Sequence, residues 1–162
     1  NDTLEGGNGR DYLYGGNGDD ILRGGAGNGD YMAGEAGNDT YLFGLGDGNA
    51  TVYNYDTNSS NIDVAVFEQA TAEDLWFSRN GNHLQITLVG TGDQITVSNW
   101  YINANYQLDR IEAGSSVLVN SQVDQLVSAM AAYDVPSGAG DIIPQETRDA
   151  LQPVLADSWQ TA

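Results

Sequence analysis

The chain has no cysteine, no lysine and a single histidine, and none of its apolar runs approaches the roughly 18 residues needed to span a bilayer. The missing cysteines exclude disulfide staples and thiolate zinc sites. One imidazole leaves one conventional base for nucleophilic catalysis. His83 stands beside the turn Asn80-Gly81-Asn82, where an exposed histidine is most simply a surface residue. GxSxG, HExxH and phosphate-loop patterns are all absent, as is a basic-then-apolar leader.

The 162 residues carry 23 acidic side chains against five arginines, a formal charge of −18, and 40% of them are hydrophobic. That length and apolar content suit one compact domain or two small ones. A surface of one negative sign repels nucleic acid and acidic lipid, so cations are the better candidate partners and no nucleic-acid role is expected. The sequence opens at Asn1 inside a repeat unit, and the chain is expected to be a piece of a longer protein.

From Asn1 to about Tyr53 the sequence repeats with a period near nine. After the partial unit Asn1–Glu5 come GGNGRDYLY from Gly6, GGNGDDILR from Gly15, GGAGNGDYMA from Gly24 and GEAGNDTYLF from Gly34. Each unit places a glycine-rich turn before an aspartate, and an apolar residue two positions after it: Leu4, Leu13, Leu22, Met32 and Tyr41. A flexible acidic linker has no reason to keep that apolar register. Glycines permit positive φ and close backbone approach, so carbonyl oxygens can converge, and each aspartate adds a carboxylate. Such hard oxygen donors are the set that calcium prefers. If the turns stack at the 4.8 Å strand spacing, neighbouring carboxylates repel by roughly 3 kcal/mol at an effective dielectric near 20. A bound cation reverses the sign of that interaction. The chain is therefore expected to be largely disordered without the ion and to fold cooperatively with it.

These units resemble the GGxGxDxUx repeats of the repeats-in-toxin (RTX) family. The resemblance implies an all-β fold in which two nonapeptides form each coil of a right-handed parallel β-roll, followed by a β-rich capping segment and a C-terminal helix. It implies Ca2+ between turns one coil apart. Asp2 to Asp20 spans 18 residues, and Asp11 to Asp30 and Asp20 to Asp39 span 19 each. By the family pattern one ion takes Gly7, Gly9 and Asp11 with Gly24, Ala26 and Asp30. A second takes Gly16, Gly18 and Asp20 with Gly34, Ala36 and Asp39. A third, weaker or open, joins the Asp2 turn to Gly15, Asn17 and Asp20. Gly29 is an extra residue that can bulge the turn before Asp30, and Glu35 replaces a second-position glycine. In the segment Gly44–Val52 alanine (Ala50) stands where aspartate belongs, and the ladder is expected to end there.

The expected divisions are 1–53 for the roll, 54–119 for the cap, and 120–162 for a helix and a secretion-signal tail. In the middle segment Val64–Phe67 and Leu75–Ser78 read as strands, and His83–Val89 and Gln94–Val97 as a hairpin around Gly90–Asp93. The stretch from Ala72 to Arg79, with Gly90–Asp93, Asn99-Trp100-Tyr101 and Arg110-Ile111-Glu112, is similar to the segment that follows the last repeats in this family. Ser121 is the expected cap of a helix carrying Val123, Leu126, Val127 and Met130 on one face. After the linker Pro136–Gly140, a second helix from Gln145 to Leu155 should be interrupted at Pro153. By the family analogy the final residues hold the export signal, a helical cap being the competing reading.

The resulting functional expectation is a non-catalytic, calcium-binding, monomeric module of a secreted, extracellular bacterial toxin, adhesin or hydrolase. Its partners would be calcium ions and the type I secretion machinery, with membrane contact only through the parent protein, if at all. A calcium-dependent adhesive or polysaccharide-binding module is the alternative, with Trp76, Trp100 and Tyr101 as the aromatic platform such a role would use. An enzyme built on acid pairs such as Glu73-Asp74 or Asp19-Asp20 is the least favoured class.

Overall fold

A computed structural model describes residues 1–162. The repeats alternate between two sheets. Strands β1 (Thr3–Glu5), β3 (Ile21–Arg23), β5 (Thr40–Phe43) and β7 (Val64–Phe67) stack in parallel in the first sheet. In the second, β2 (Tyr12–Asn17), β4 (Asp30–Ala36) and β6 (Ala50–Val52) stack likewise. Two short strands joined by two tight turns make one coil, so the glycine-rich segments lie in two rows along the edges of the roll. Glycine is demanded there by contact as well as by φ. A Cβ on Gly27 would collide with the Gly9 carbonyl, and one on Gly48, at φ +87°, with the Gly27 carbonyl.

The expected core positions form two columns. Leu4, Leu22, Tyr41 and Ala65 lie in register in the first sheet, and Leu13, Met32 and Val52 in the second. Leu4 and Leu13 are only half-buried, whereas Leu22, Met32, Tyr41 and Val52 are fully enclosed. Phe43 stacks on Phe67 at 5.2 Å within the same interior. Each fully buried aliphatic rung contributes roughly 1.5–3 kcal/mol relative to exposure.

The aspartate column of the second sheet ends at Ala50, which lies in register with Asp30 as the sequence predicts, but the sheets themselves run on. Both sheets continue into the following segment by parallel pairing. Strand β8 (Leu75–Asn80) and β9 (His83–Leu88) form an antiparallel hairpin, and β10 (Gln94–Val97) folds back on β9 and also lies parallel to β6. In the first sheet β11 (Arg110–Ala113) is parallel to β7, and β12 (Ser116–Val119) and β13 (Gln160–Thr161) finish that edge antiparallel. The core columns therefore run on, Ala65 to Ile111 to Leu118, and Val52 to Val97 to Leu84.

Helix α1 (Val123–Met130) buries Val123, Leu126 and Met130, as the helical spacing predicts. Ser121 does not cap it: the serine lies in a 3₁₀ turn, and Gln122 occupies the cap position without a side-chain bond. Helix α2 (Gln145–Ser158) passes straight through Pro153. Proline deprives one carbonyl of its amide partner, but that carbonyl belongs to the exposed Asp149, where water can serve it. The tail is also docked. Leu151 and Trp159 join the central core, Trp159 lies 6.2 Å from Phe77, and β13 adds to the sheet.

Candidate metal centre

The aspartates of the repeats form hydrogen-bonded ladders along the turns. The Asp20 carboxylate accepts from the Asp2 amide at 2.5 Å, Asp39 from the Asp20 amide at 2.9 Å, and Asp30 from the Asp11 amide at 2.9 Å. Each bond ties one coil to the next through Oδ1. The second oxygens differ: Asp11 Oδ2, Asp20 Oδ2 and Asp39 Oδ2 are buried and have no hydrogen-bond partner. Leaving a buried acceptor unmade costs about 1–3 kcal/mol, and more when it is charged. Three such groups weigh heavily against a total stability of about 5–15 kcal/mol for a domain.

The surroundings of these oxygens supply further oxygen donors and little positive charge. A Cβ built on Gly15 would lie 2.5 Å from Asp20 Oδ2 and 2.7 Å from the Gly34 carbonyl, so carboxylate and carbonyl of successive coils face one small space. The same holds at Gly6, which faces the Gly24 carbonyl and the Asp11 side chain, and Gly24 lies against Asp30 Oδ2. The amides of Gly7, Gly9 and Gly18 donate to the carbonyls of Gly24 (3.0 Å), Ala26 (2.9 Å) and Ala36 (2.7 Å). Each of those carbonyls keeps a second lone pair. The donor set thus fits a hard divalent cation.

The other residues singled out from sequence fall in varied places. Gly34 joins Asp39 in its turn, a Cβ there colliding with the Asp39 carboxylate. Gly16 and Asn17 lie at the end of β2, in register with Glu35 and Ala36. Asp2 is exposed and enters the ladder only through its backbone. The extra Gly29, at φ +95°, is absorbed outside the ladder, and Asp30 stays in line and 1% exposed. Glu35 holds a left-handed φ of +75° where the preceding units have glycine.

The ladder extends beyond the residues that the repeat identifies. Asp63 accepts from the Asp39 amide and Asp109 from the Asp63 amide, each at 2.9 Å. Their separations of 24 and 46 residues break the nine-residue period. The local signal persists, however, since Ala65 and Ile111 follow these aspartates by two positions into the core. Asp63 differs from the lower rungs because its Oδ2 accepts from Asn54 Nδ2 at 2.9 Å. Asn54 Oδ1 in turn accepts from the Tyr41 hydroxyl, and that hydroxyl accepts from the Gly34 amide, both at 2.9 Å. A neutral amide thus fills at the Asp63 rung the role left open below.

Trp76 and Trp100 are each 1% exposed and belong to the core, so they offer no platform at the surface. Tyr101 lies under the Arg79 guanidinium at 4.1 Å. His83 Nδ1 accepts from the Asn99 amide at 3.0 Å.

Residues 1–30 and 29–49 match the family model of the RTX calcium-binding nonapeptide repeat, in four copies. Residues 83–112 match the haemolysin-type calcium binding protein related domain. The chain is also similar to the iron-regulated protein FrpA of Neisseria meningitidis serogroup C, at 39% identity over 93 residues. That match covers 54% of this chain and only 8% of the relative.

The ladder has a pH signature. Burial is the main reason that the Asp39 carboxyl is pushed up to about 6; the Asp20 amide opposes the shift, and the charges of Asp63, Asp20 and Asp56 add to it. Burial likewise raises Asp63, against the bonds from Asp39 and Asn54. A carboxyl whose folded pKa exceeds its unfolded value near 3.9 binds more protons when folded, so stability falls as pH rises between those values. In chelator, far-ultraviolet circular dichroism should show strand content rising as pH drops from about 6 toward 4. A flat or inverted profile would contradict the buried ladder.

Proposed function

We propose, from the premise that residues 1–49 are RTX calcium-binding nonapeptide repeats, that this chain is a non-catalytic module which folds on meeting extracellular calcium and supports type I secretion of a larger bacterial protein. The observation that carries the reading is the column of buried aspartate oxygens without a hydrogen-bond partner. One ion is assigned to Gly7, Gly9 and Asp11 with Gly24, Ala26 and Asp30. The second is assigned to Gly16, Gly18 and Asp20 with Gly34, Ala36 and Asp39, and an outer one to Asp2 with Gly15, Asn17 and Asp20. Calcium supplies the positive charge that the ladder lacks and relieves the repulsion between stacked carboxylates.

The labour divides along the chain. The roll, 1–53, binds the ions; the cap, 54–119, covers the open end of both sheets with strands that need no ion; and 120–162 closes the cap and carries the export signal. A type I channel passes unfolded chains, and cytosolic calcium lies far below the ~10⁻⁴–10⁻³ M affinity of extracellular modules. The repeats therefore stay open inside the cell, helped by their own negative charge, and close outside it. The module acts as a monomer, and its membrane contacts are those of the parent protein.

Two measurements test this reading. Asp20 binds the coil below through Oδ1 and the coil above through its amide, whereas Asp47 Oδ2 accepts from Gly44 within its own turn at 2.6 Å. Asp20→Ala should raise the calcium midpoint of folding well above that of Asp47→Ala, and equal shifts would show the ligand frame to be wrong. Because the tail belongs to the core, export is better tested by transfer than by deletion. Residues 120–162 fused after a passenger protein should direct its release from a bacterium carrying the type I apparatus, and retention of the passenger would place the signal elsewhere.

A further inference from the structure

The outward face of the second sheet carries a tyrosine column with a gap in it. Strand alternation points Leu13 and Met32 inward, so Tyr12, Tyr14 and Tyr31 point out. Tyr14 is in register with Ala33, and the register Met32 to Val52 continues so that Tyr53 follows on the far side of Ala33. Alanine thus stands where a third tyrosine would complete the column. The result is a groove of about 290 Å³ lined by Tyr14, Tyr31, Ala33, Glu35, Tyr53 and Tyr55. Tyr14 and Tyr55 are 55% and 44% exposed, so its rim is open to solvent.

The rings are held firmly. Tyr14 and Tyr31 lie 5.8 Å apart, Tyr31 and Tyr53 6.3 Å, and Tyr53 and Tyr55 6.5 Å, with Tyr106 bracing Tyr55 from outside at 5.0 Å. One charged residue reaches the groove, Glu35. It keeps a left-handed φ of +75° in a position where the preceding units have glycine at φ +94° and +91°. A non-glycine residue in that conformation carries backbone strain. Strain of that kind at a cleft points to a role for the side chain. None of the five arginines lines the groove, and Tyr31 is held above its ordinary pKa by burial first and then by Tyr14, Tyr53 and Glu35.

We infer that this groove is an aromatic cage for a quaternary ammonium group, with Tyr14, Tyr31, Tyr53 and Tyr55 as walls, Ala33 as floor and Glu35 as counter-ion. Aromatic π faces are negative and attract a poorly hydrated organic cation, and the carboxylate and the net charge of −18 add to that field. An anionic occupant is repelled, and the same charge disfavours a second copy of the chain. A neutral sugar would draw on none of this electrostatic bias.

The test is isothermal titration of the full chain, folded in calcium, with choline and with its uncharged isostere 3,3-dimethyl-1-butanol. Choline should bind, and the isostere should bind roughly tenfold more weakly or not at all. Ala33→Tyr, which fills the gap on an outward position, should abolish choline binding while leaving the circular dichroism unchanged. Glu35→Gln should weaken binding several-fold without blocking the groove. Sedimentation with phosphatidylcholine vesicles that free choline reverses would assign the cation to a lipid headgroup, whereas choline binding alone would assign it to a soluble or polymer-borne amine. Equal affinity for choline and its isostere, undiminished binding by Ala33→Tyr, or binding of a neutral oligosaccharide in place of choline would overturn the proposal.

Discussion

A buried carboxylate with one oxygen bonded and the other left over sets the terms for the rest of this molecule. Asp20 and Asp39 each use Oδ1 to hold the amide of the coil below, so the ladder keeps the coils in line. The same burial strands Oδ2, and hydrophobic rungs one residue wide cannot offset many such groups. A cation bound there would remove that cost. Glycine-rich turns follow from the same constraint, because the aspartate side chains turned into the roll leave no room for a Cβ at Gly15, Gly24 or Gly34.

The cap solves the same problem with neutral chemistry. Asn54 donates to Asp63 and accepts from Tyr41, satisfying the Asp63 rung by hydrogen bonds alone. Above that rung the core widens around Trp76, Phe77 and Trp100, and α2 and Trp159 cover it. Strands β6 and β7 lie between the two regimes, pairing with repeat strands on one side and with β10 and β11 on the other.

Much of this was legible in the sequence because the rule is local. An aspartate followed two residues later by an apolar side chain marks the rungs at Leu22, Met32 and Tyr41, and strict alternation marks the hairpin from His83 to Val97. The rungs at Asp63 and Asp109 obey the same rule but are hidden by the long excursions before them. Asn54 had no pattern at all, since its role depends on Asp63 at the far end of the same connection and on Tyr41 in the preceding strand of the first sheet. The continuity of α2 across Pro153 was not legible, because tertiary contacts of Leu151 and Trp159 hold a helix that local propensity would break. The tyrosine groove escaped notice because a period-nine reading attends to inward positions, and the information lay in the outward ones.

The central claim is that the ion is required where an aspartate oxygen has no partner and is dispensable where Asn54 supplies one. Amide hydrogen exchange, followed residue by residue in chelator and in calcium, addresses it directly. The account predicts that the amides of β7, β11 and β12 are protected in both conditions, while those of β2 and β3 are protected only in calcium. Protection that rises uniformly along the chain with calcium, or repeats already protected in chelator, would contradict it.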